Sequence, residues 1–190
     1  MQLFETKPFL PEGFVYVHDF ICVEEEQELV HLIQSIPLHS FMFQGHEARR
    51  KVASFGYNYN FEQRALTKGN PIPSEFKPLV RSVEQKLSLP ENSFAELLVT
   101  EYPLGSVINW HRDAMPFEII AGVSLLSDCV FKLRPYDTEK RSRKSTISLQ
   151  VDRRSLYMMS ESARYEWQHS TAPVKAVRYS ITLRTVKEKL

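Results

Sequence analysis

Four side chains in the second half of the chain could together hold a metal ion and a carboxylic acid. His111 stands two positions before Asp113, and His169 and Arg178 follow much later. Two imidazoles and one carboxylate that leave coordination positions open are the facial ligand set of non-haem Fe(II) oxygenases. A guanidinium can pair bidentately with the carboxylate of a small acid. These residues therefore indicate an iron-dependent oxidation with an acid as co-substrate.

The tripeptide His111-Arg112-Asp113 is by itself a weak motif. The chain has 6 His and 23 acidic residues, so chance supplies this spacing about once. The flanking runs, Leu97 to Val107 and Glu118 to Leu126, are typical of strands. Residues two apart on a strand share a face, so this setting predicts that both ligands point the same way.

The remaining residues of the set each have an ordinary explanation as well. His169 could be a structural histidine, Arg178 a surface ion-pair partner and Tyr102 part of the core. Their joint occurrence, in this order and strand phase, favours a metal and co-substrate site.

Composition limits the class of protein. The chain has 190 residues, of which 43% are hydrophobic and 25% charged, which predicts one globular domain with a sizeable core. The net charge is +1, so a nucleic-acid partner would have to bind to a local patch of positive charge.

Cysteine usage and hydropathy predict the compartment. Cys22 and Cys129 form no CxxC pair, which fits a reducing environment. Glu5, Pro8 and Pro11 interrupt the region where a signal peptide would be apolar. No apolar run approaches the roughly 20 residues of a membrane span. We expect a cytoplasmic protein, or a nuclear one in a eukaryote, without membrane contact.

The hydrophobic pattern changes from helical to strand periodicity along the chain. Helices are predicted from about Val23 to Ile36 and Ser74 to Leu87, with a strand from Ala53 to Phe61 between them. The later runs suggest a double-sheet jelly roll with the helices packed outside one sheet. These predicted strands are Ala95 to Tyr102, Val107 to Arg112, Ile119 to Leu126, Val130 to Arg134, Ser145 to Val151, Ser155 to Met159 and Val177 to Val186.

The ordered set of Tyr102, His111-Arg112-Asp113, His169, Arg178 and Arg184 resembles the AlkB family of Fe(II) and 2-oxoglutarate-dependent dioxygenases. The resemblance covers essentially the whole chain. It implies a mostly β double-stranded β-helix, or jelly roll, as a single domain over residues 1–190. Residues 1–90 would form N-terminal helices and a substrate lid, and residues 91–190 the catalytic core.

The resemblance also implies roles for individual residues. His111, Asp113 and His169 match the iron ligands, and Tyr102 and Arg178 match residues that hold the distal carboxylate of 2-oxoglutarate. The second arginine, Arg184, matches a residue near the other end of the co-substrate. With O2 as second co-substrate, such an enzyme forms succinate and CO2 and hydroxylates a C–H bond. On an N-alkyl group, the hydroxylated product falls apart to an aldehyde and the free base.

Two positions depart from the family pattern. The family commonly has Asn where this chain has Thr100 and Ser180. Both side chains are shorter but can still form hydrogen bonds, so they stay candidate co-substrate residues.

The substrate prediction depends on the lid. Arg49 and Arg50 precede Tyr57 and Tyr59, and cations beside aromatic rings suit a flipped or single-stranded base, so alkylated single-stranded DNA or RNA is the expected partner. The alternative is a strand whose aromatic rings face the core. Alternation places Phe55 on the same face as the two tyrosines.

Further alternatives follow from other segments. The basic run Lys140 to Lys144, in a predicted hairpin loop, either grips a nucleic-acid backbone or is a solvated loop. The segments FGYNYNF and Arg153 to His169 are similar to the branch that hydroxylates a wobble uridine of tRNA. We expect no RNA-recognition or methyltransferase domain in this chain, which disfavours that function. A protein side chain as substrate, and a catalytically idle binding module, are the remaining alternatives.

Overall fold

Twelve strands and three α-helices make up the described part of the chain. The computed structural model describes residues 9–43, 46–60, 63 and 65–187. In chain order the strands are β1 (Phe14–Val17), β2 (His39–Phe43), β3 (His46–Asn60), β4 (Ala65–Lys68), β5 (Glu96–Tyr102), β6 (Ile108–His111), β7 (Phe117–Leu125), β8 (Cys129–Pro135), β9 (Ile147–Val151), β10 (Leu156–Met159), β11 (Trp167–Thr171) and β12 (Arg178–Val186). The helices are α1 (Val23–Gln34), α2 (Lys77–Lys86) and α3 (Glu161–Tyr165), and a 3-10 turn, Ser74–Phe76, leads into α2.

The strands form a larger and a smaller sheet. The larger sheet has the order β1-β10-β7-β12-β5-β3-β2, with β4 paired to β3, and the smaller sheet has the order β6-β11-β8-β9. All of these pairs are antiparallel. In the second half of the chain, β5, β7, β10 and β12 lie in the larger sheet and β6, β8, β9 and β11 in the smaller one, so the chain crosses repeatedly between the sheets, as in a jelly roll. The β1 strand pairs with β10, so residues from both halves of the chain share the larger sheet.

The two long helices pack on the outer face of the larger sheet. Helix α1 begins after Cys22, whose side chain caps it, and carries acidic residues in its first turn, where the helix dipole favours them. Leu29 and Ile33 of α1 and Leu79 and Val83 of α2 lie in one core cluster with apolar residues of β5, β7 and β12. This first core confirms the prediction that the helices pack outside one sheet.

A second core lies between the two sheets. It contains Tyr102 of β5, Phe117 of β7, Phe131 and Leu133 of β8 and Tyr157 of β10. The odd-numbered residues of β12 face the first core, so its even-numbered residues face this interior. The interior is therefore lined by the apolar residues of the second core and by the polar even-numbered residues of β12, so it can accommodate a polar ligand.

The predicted elements are found, with several additions. Both helices, the strand within β3 and the seven later strands are present. The pattern did not predict β1, β2, β4, α3 or β11. The β11 strand lies between β6 and β8, yet its sequence, WQHST, is mainly polar and shows no apolar alternation. Hydrophobic periodicity therefore does not predict this strand. Within the described residues, no helix is long and apolar enough to span a membrane.

Candidate active site

Three candidate metal ligands converge at the edge of the interior. One ligand atom from each of His111, Asp113 and His169 lies within 4.8 Å of the others. The two histidines are directly paired residues of β6 and β11, with ring centroids 4.2 Å apart. The side chains of His111 and Asp113 point toward a common centre, as predicted, but strand alternation is not the reason. The β6 strand ends at His111, and Asp113 turns inward from the following loop.

Both imidazoles are held in a form that can bind a metal. The carbonyl oxygen of Asn109 accepts a hydrogen bond from Nδ1 of His111 at 2.8 Å, which leaves Nε2 as the free ligand atom. Phe131 stacks on the His169 ring, with centroids 5.3 Å apart. Burial, followed by the charge of His111, lowers the pKa of His169 to about 3. The His169 ring is therefore neutral near pH 7, as metal binding requires.

The carboxylate of Asp113 is oriented by Arg184. Nε and Nη2 of Arg184 both donate to Oδ1 of Asp113, at 3.0 and 2.8 Å. Burial alone would raise the pKa of the Asp113 carboxyl, but the charge of Arg184 and then of the two imidazoles hold it below its ordinary value. The site thus keeps an ionised carboxylate in a buried position.

The second oxygen of Asp113 provides the test of whether a metal fits. Oδ2 is buried and has no hydrogen-bond partner, and it lies 3.5 Å from Nε2 of His169. An unsatisfied buried acceptor costs about 1–3 kcal/mol. A cation bound by this oxygen and the two imidazoles would remove that cost, so the donor set fits Fe(II).

A second polar cluster lies on the paired strands β5 and β12. Arg178 is paired in register with Tyr102, and Ser180 with Thr100. All four residues are buried. Nε of Arg178 donates to Oγ of Ser124 at 3.0 Å, and its guanidinium lies 4.9 Å from the centroid of the Tyr102 ring.

Arg178 provides the corresponding test for a dicarboxylic acid. Arg178 is 3% exposed, and no carboxylate among the described residues forms an ion pair with it. A buried cation without an anion is unfavourable. The carboxylate of a bound acid would supply the missing charge, so the site fits 2-oxoglutarate.

The four predicted substrate residues separate into two kinds. Arg50 is half-buried, with its guanidinium 4.0 Å from the centroid of the Phe41 ring. Val52 is paired with Thr100, so strand alternation places Arg50 on the same face of the sheet as Thr100 and Tyr102, toward the site. Burial lowers the pKa of Arg50. Tyr59 packs against the second core. The side chains of Arg49 and Tyr57 are exposed.

The predicted face of the aromatic residues needs a correction. Phe55 packs against the first core, whereas Tyr59 packs against the second, so they do not share a face. The cause is Gly56, which has a φ of +83° and ends the pairing with β5. From Tyr57 onward, β3 pairs with β4 instead. A left-handed residue changes the strand phase, and glycine adopts it without strain.

Two polar residues of the site were not predicted. Glu96 accepts a hydrogen bond from Nη1 of Arg184 at 2.8 Å, and Ser124 supports Arg178. Their roles depend on strand register, since Glu96 is paired with Arg184 and Ser124 with Ser180. Sequence periodicity does not reveal register between distant strands.

The comparisons with known proteins agree with this geometry. Residues 13–184 match the sequence pattern of the 2OG-Fe(II) oxygenase superfamily, and the chain belongs to this family. Its cofactors are therefore Fe(II) and 2-oxoglutarate, with His111, Asp113 and His169 as the iron triad.

Among curated proteins, the relatives are of the AlkB type. The chain is 30% identical over 174 residues to the Mus musculus tRNA (carboxymethyluridine(34)-5-O)-methyltransferase ALKBH8, covering 87% of this chain and 25% of that protein. It is 28% identical over 190 residues to the Arabidopsis thaliana "Alkylated DNA repair protein ALKBH8 homolog", covering 89% and 53%. The chain thus spans about a quarter to a half of the length of these relatives. The resemblance to the AlkB family is confirmed.

Solved structures confirm the fold. The structure of OsALKBH1 superposes with a TM-score of 0.71 at 13% identity, covering 93% of this chain and 100% of that chain. A Pseudomonas putida prolyl-4-hydroxylase superposes with a TM-score of 0.64 at 11% identity, covering 93% and 94%. The predicted jelly roll is therefore correct.

Proposed function

We propose that this protein hydroxylates a C–H bond of an alkylated or otherwise modified base in single-stranded DNA or RNA. Bound iron would supply the activation of O2, coupled to conversion of 2-oxoglutarate to succinate and CO2. Hydroxylation of an N-alkyl group would release it as an aldehyde. The observation that carries the oxidation chemistry is the unsatisfied Oδ2 of Asp113 among three converging ligands, together with buried Arg178, which lies on the same face of β12 as Arg184 and has no carboxylate partner among the described residues.

The co-substrate is assigned to the polar face of β12. Arg178 and Tyr102 would bind the distal carboxylate, with Thr100 and Ser180 as the neighbouring buried hydroxyls. Arg184 uses three N–H groups on Asp113 and Glu96. A guanidinium has five donors, so two remain that could reach the carboxylate next to the keto group.

The substrate class is inferred from the site-facing cation and from the relatives. Arg50 lies on β3 on the same face as Tyr102 of the paired strand β5, and it forms no ion pair with a described carboxylate. It could therefore bind an anionic group of the substrate, such as a phosphate next to the target base. Tyr59, on the second core, offers a ring near the same region. Arg49 and Tyr57 remain candidates for contacts at the rim.

Transfer RNA is a specific alternative within this class. The printed names of the relatives refer to a tRNA wobble nucleoside and to alkylated DNA. Either substrate would present an unstacked base and a phosphate backbone to the site. The two cannot be separated by the geometry of the iron centre, which determines the oxidation but not the base.

A single assay separates the candidate substrates. Purified protein is loaded anaerobically with Fe(II) and 2-oxoglutarate, mixed with methylated DNA and RNA oligonucleotides, total tRNA or methylated peptides, and exposed to O2. Mass spectrometry should find a gain of oxygen or a lost alkyl group only in a nucleic acid, together with succinate. His111→Ala should abolish both products without unfolding the protein.

The remaining outcomes distinguish the alternatives. Oxidation of peptides alone would show that the substrate is a protein side chain. Absence of succinate with every substrate, from protein shown to have bound iron, would identify a catalytically idle binding module. Reaction of tRNA alone would assign the protein to the tRNA branch.

A further inference from the structure

The outer face of the smaller sheet carries an unusual concentration of positive charge. Phe131 and Leu133 of β8 point into the second core, so Lys132 and Arg134 between them point outward. The loop after β8 adds further cations. We call these residues the outer basic face: Arg112, Lys132, Arg134, Arg141, Arg143 and Lys144, with the rings of Trp110 and Tyr136.

The charge of this face is not neutralised by the protein. None of these six cations forms an ion pair with a described carboxylate, whereas Lys51, Arg153 and Arg154 elsewhere do. The four strands of the smaller sheet contain no Asp or Glu. The β8–β9 loop also contains two acidic residues: Asp137 lies 3.9 Å from Lys140, and Glu139 forms no ion pair with a described residue. The six cations of the outer basic face therefore outnumber the acidic residues of this loop and sheet.

Two of the arginines are held in place by aromatic rings. The guanidinium of Arg134 lies 4.4 Å from the Trp110 ring centroid, and its Nε donates to Oε1 of Gln168 at 2.9 Å. That of Arg112 lies 3.5 Å from the Tyr136 ring centroid, and its Nη1 donates to the carbonyl oxygen of Tyr165 at 2.7 Å. Fixed guanidinium groups lose less conformational entropy when they bind an anion.

The loop itself is fastened to the sheet. Nε of Arg141 donates to the carbonyl oxygen of Pro135 at 3.1 Å. Ser142 and Ser145 form hydrogen bonds that close the loop between β8 and β9. The side chains of Arg143 and Lys144 are exposed. They are thus presented on an ordered turn beside the sheet.

Part of the outer basic face is next to the iron ligands along the chain. Arg112 lies between His111 and Asp113, and Trp110 directly precedes His111. On β6 the ring of His111 points inward to His169, so Trp110 points outward. A chain whose base reached the iron would therefore pass close to Arg112, from which the other cations of this face extend across the sheet.

We propose that the outer basic face binds the phosphate backbone of a single-stranded polynucleotide whose neighbouring base enters the active site. This inference rests on the proposed function, since it takes the substrate to be nucleic acid. The supporting observations are the six cations without ion-pair partners among the described residues, the stacking of Arg112 and Arg134 on aromatic rings, and the position of Arg112 between two iron ligands. Phosphate contacts of this kind supply affinity that depends on salt and not on base sequence.

The test measures binding without turnover. Fluorescence anisotropy of a labelled single-stranded RNA is recorded at several salt concentrations for the wild type, Lys132→Glu and the double variant Arg143→Glu/Lys144→Glu. The matched control is Arg81→Glu/Lys86→Glu, which makes the same charge change on exposed positions of α2. The face variants should bind more weakly, and their log–log salt slope should fall by about 0.7 for each phosphate contact removed.

The outcomes separate the proposal from its alternatives. Equal affinity and equal salt slope in the face and α2 variants would overturn it. Displacement of the RNA by polyglutamate at equal charge concentration would also overturn it, because the face would then recognise negative charge in general. If the unfolding temperature of a face variant is lowered, the binding measurement is repeated with Arg143→Gln/Lys144→Gln, which removes two positive charges without adding negative ones. The binding assay contains no co-substrate, so it does not depend on catalysis. Loss of the outer basic face proposal is therefore distinguishable from a failure to oxidise any nucleic acid, which would overturn the proposed function.

Discussion

Arg184 donates two hydrogen bonds to a single oxygen of Asp113, Oδ1, and leaves Oδ2 without a partner. A guanidinium that faced both oxygens would form a closed bidentate pair. Here the third hydrogen bond of Arg184 goes to Glu96 instead, which fixes the arginine from the opposite side. The result is a carboxylate whose free oxygen is directed toward the two imidazoles.

Replacement of Arg184 by Met should affect both folding and iron binding. The substitution leaves two buried carboxylates without a cation, so the free energy of unfolding should fall by about 3–5 kcal/mol. It also releases the orientation of Asp113, so Fe(II) affinity should fall by about 10–100-fold. Urea unfolding and anaerobic Fe(II) titration measure the two effects.

Two further variants control for this result. Adding Glu96→Gln to Arg184→Met should restore part of the stability, since a neutral amide needs no counter-charge. Arg154→Met removes an arginine paired to Asp19, whose side chain is 74% exposed, and should cost about 0–1 kcal/mol. If Arg184→Met behaved like Arg154→Met in both measurements, the proposed positioning of Asp113 would be wrong.

Replacement of Arg178 by Met should weaken co-substrate binding without loss of stability. This buried cation has no carboxylate partner among the described residues, so its removal leaves no charge unpaired. Loss of the pair with the distal carboxylate should weaken 2-oxoglutarate binding by about 2–5 kcal/mol. Calorimetric titration of the metal-loaded protein measures the affinity.

An analogue of the co-substrate identifies which carboxylate Arg178 binds. 2-Oxopentanoate keeps the keto acid but carries a methyl group in place of the distal carboxylate. The wild type should bind it far more weakly than 2-oxoglutarate, and Arg178→Met should bind the two acids similarly. Undiminished discrimination in the variant would assign the distal carboxylate to another residue.

Arg50 and Lys51 test the substrate side of the site from neighbouring positions on β3. Strand alternation places Arg50 on the same face as Tyr102, whereas Lys51 forms an ion pair with Glu101 at 3.2 Å. Arg50→Gln should raise the KM for the oxidised nucleic acid about 10–100-fold, as expected when one charge-assisted hydrogen bond is lost. Lys51→Gln should leave that KM near the wild-type value. The same change in both variants would exclude a specific role for Arg50.

Much of the iron and co-substrate site follows from local patterns. On β12 the residues Tyr179, Ile181 and Leu183 lie in the first core, so strand alternation places Arg178 and Arg184 in the interior. The jelly roll follows from short strands at even spacing and from the two amphipathic helices. These features depend on periodicity within one segment, which a single sequence displays.

The rest of the site depends on contacts between segments. Glu96 meets Arg184 only through the register of β5 and β12. Tyr59 reaches the second core only because Gly56 changes the phase of β3. The outer basic face combines a loop with strands that are far apart in sequence, and only the loop, Lys140 to Lys144, was visible as a cluster.

The stability of the metal-free protein should depend on pH through His169. Burial lowers the pKa of His169 from 6.5 to about 3, so as pH falls below about 6.5 the unfolded state binds the proton first. The stabilisation is fully present above that pH and is progressively lost down to about pH 3, on the order of a few kcal/mol. Asp113, whose pKa is held below its ordinary range, contributes only at the acidic end of this window.

Urea unfolding at about pH 6.5 and about pH 4, with a chelator present, should therefore show a smaller loss of stability for His169→Gln than for the wild type. His39→Gln, at an exposed position of β2, should keep the wild-type loss, and an equal loss in all three proteins would mean that His169 is not buried in its neutral form.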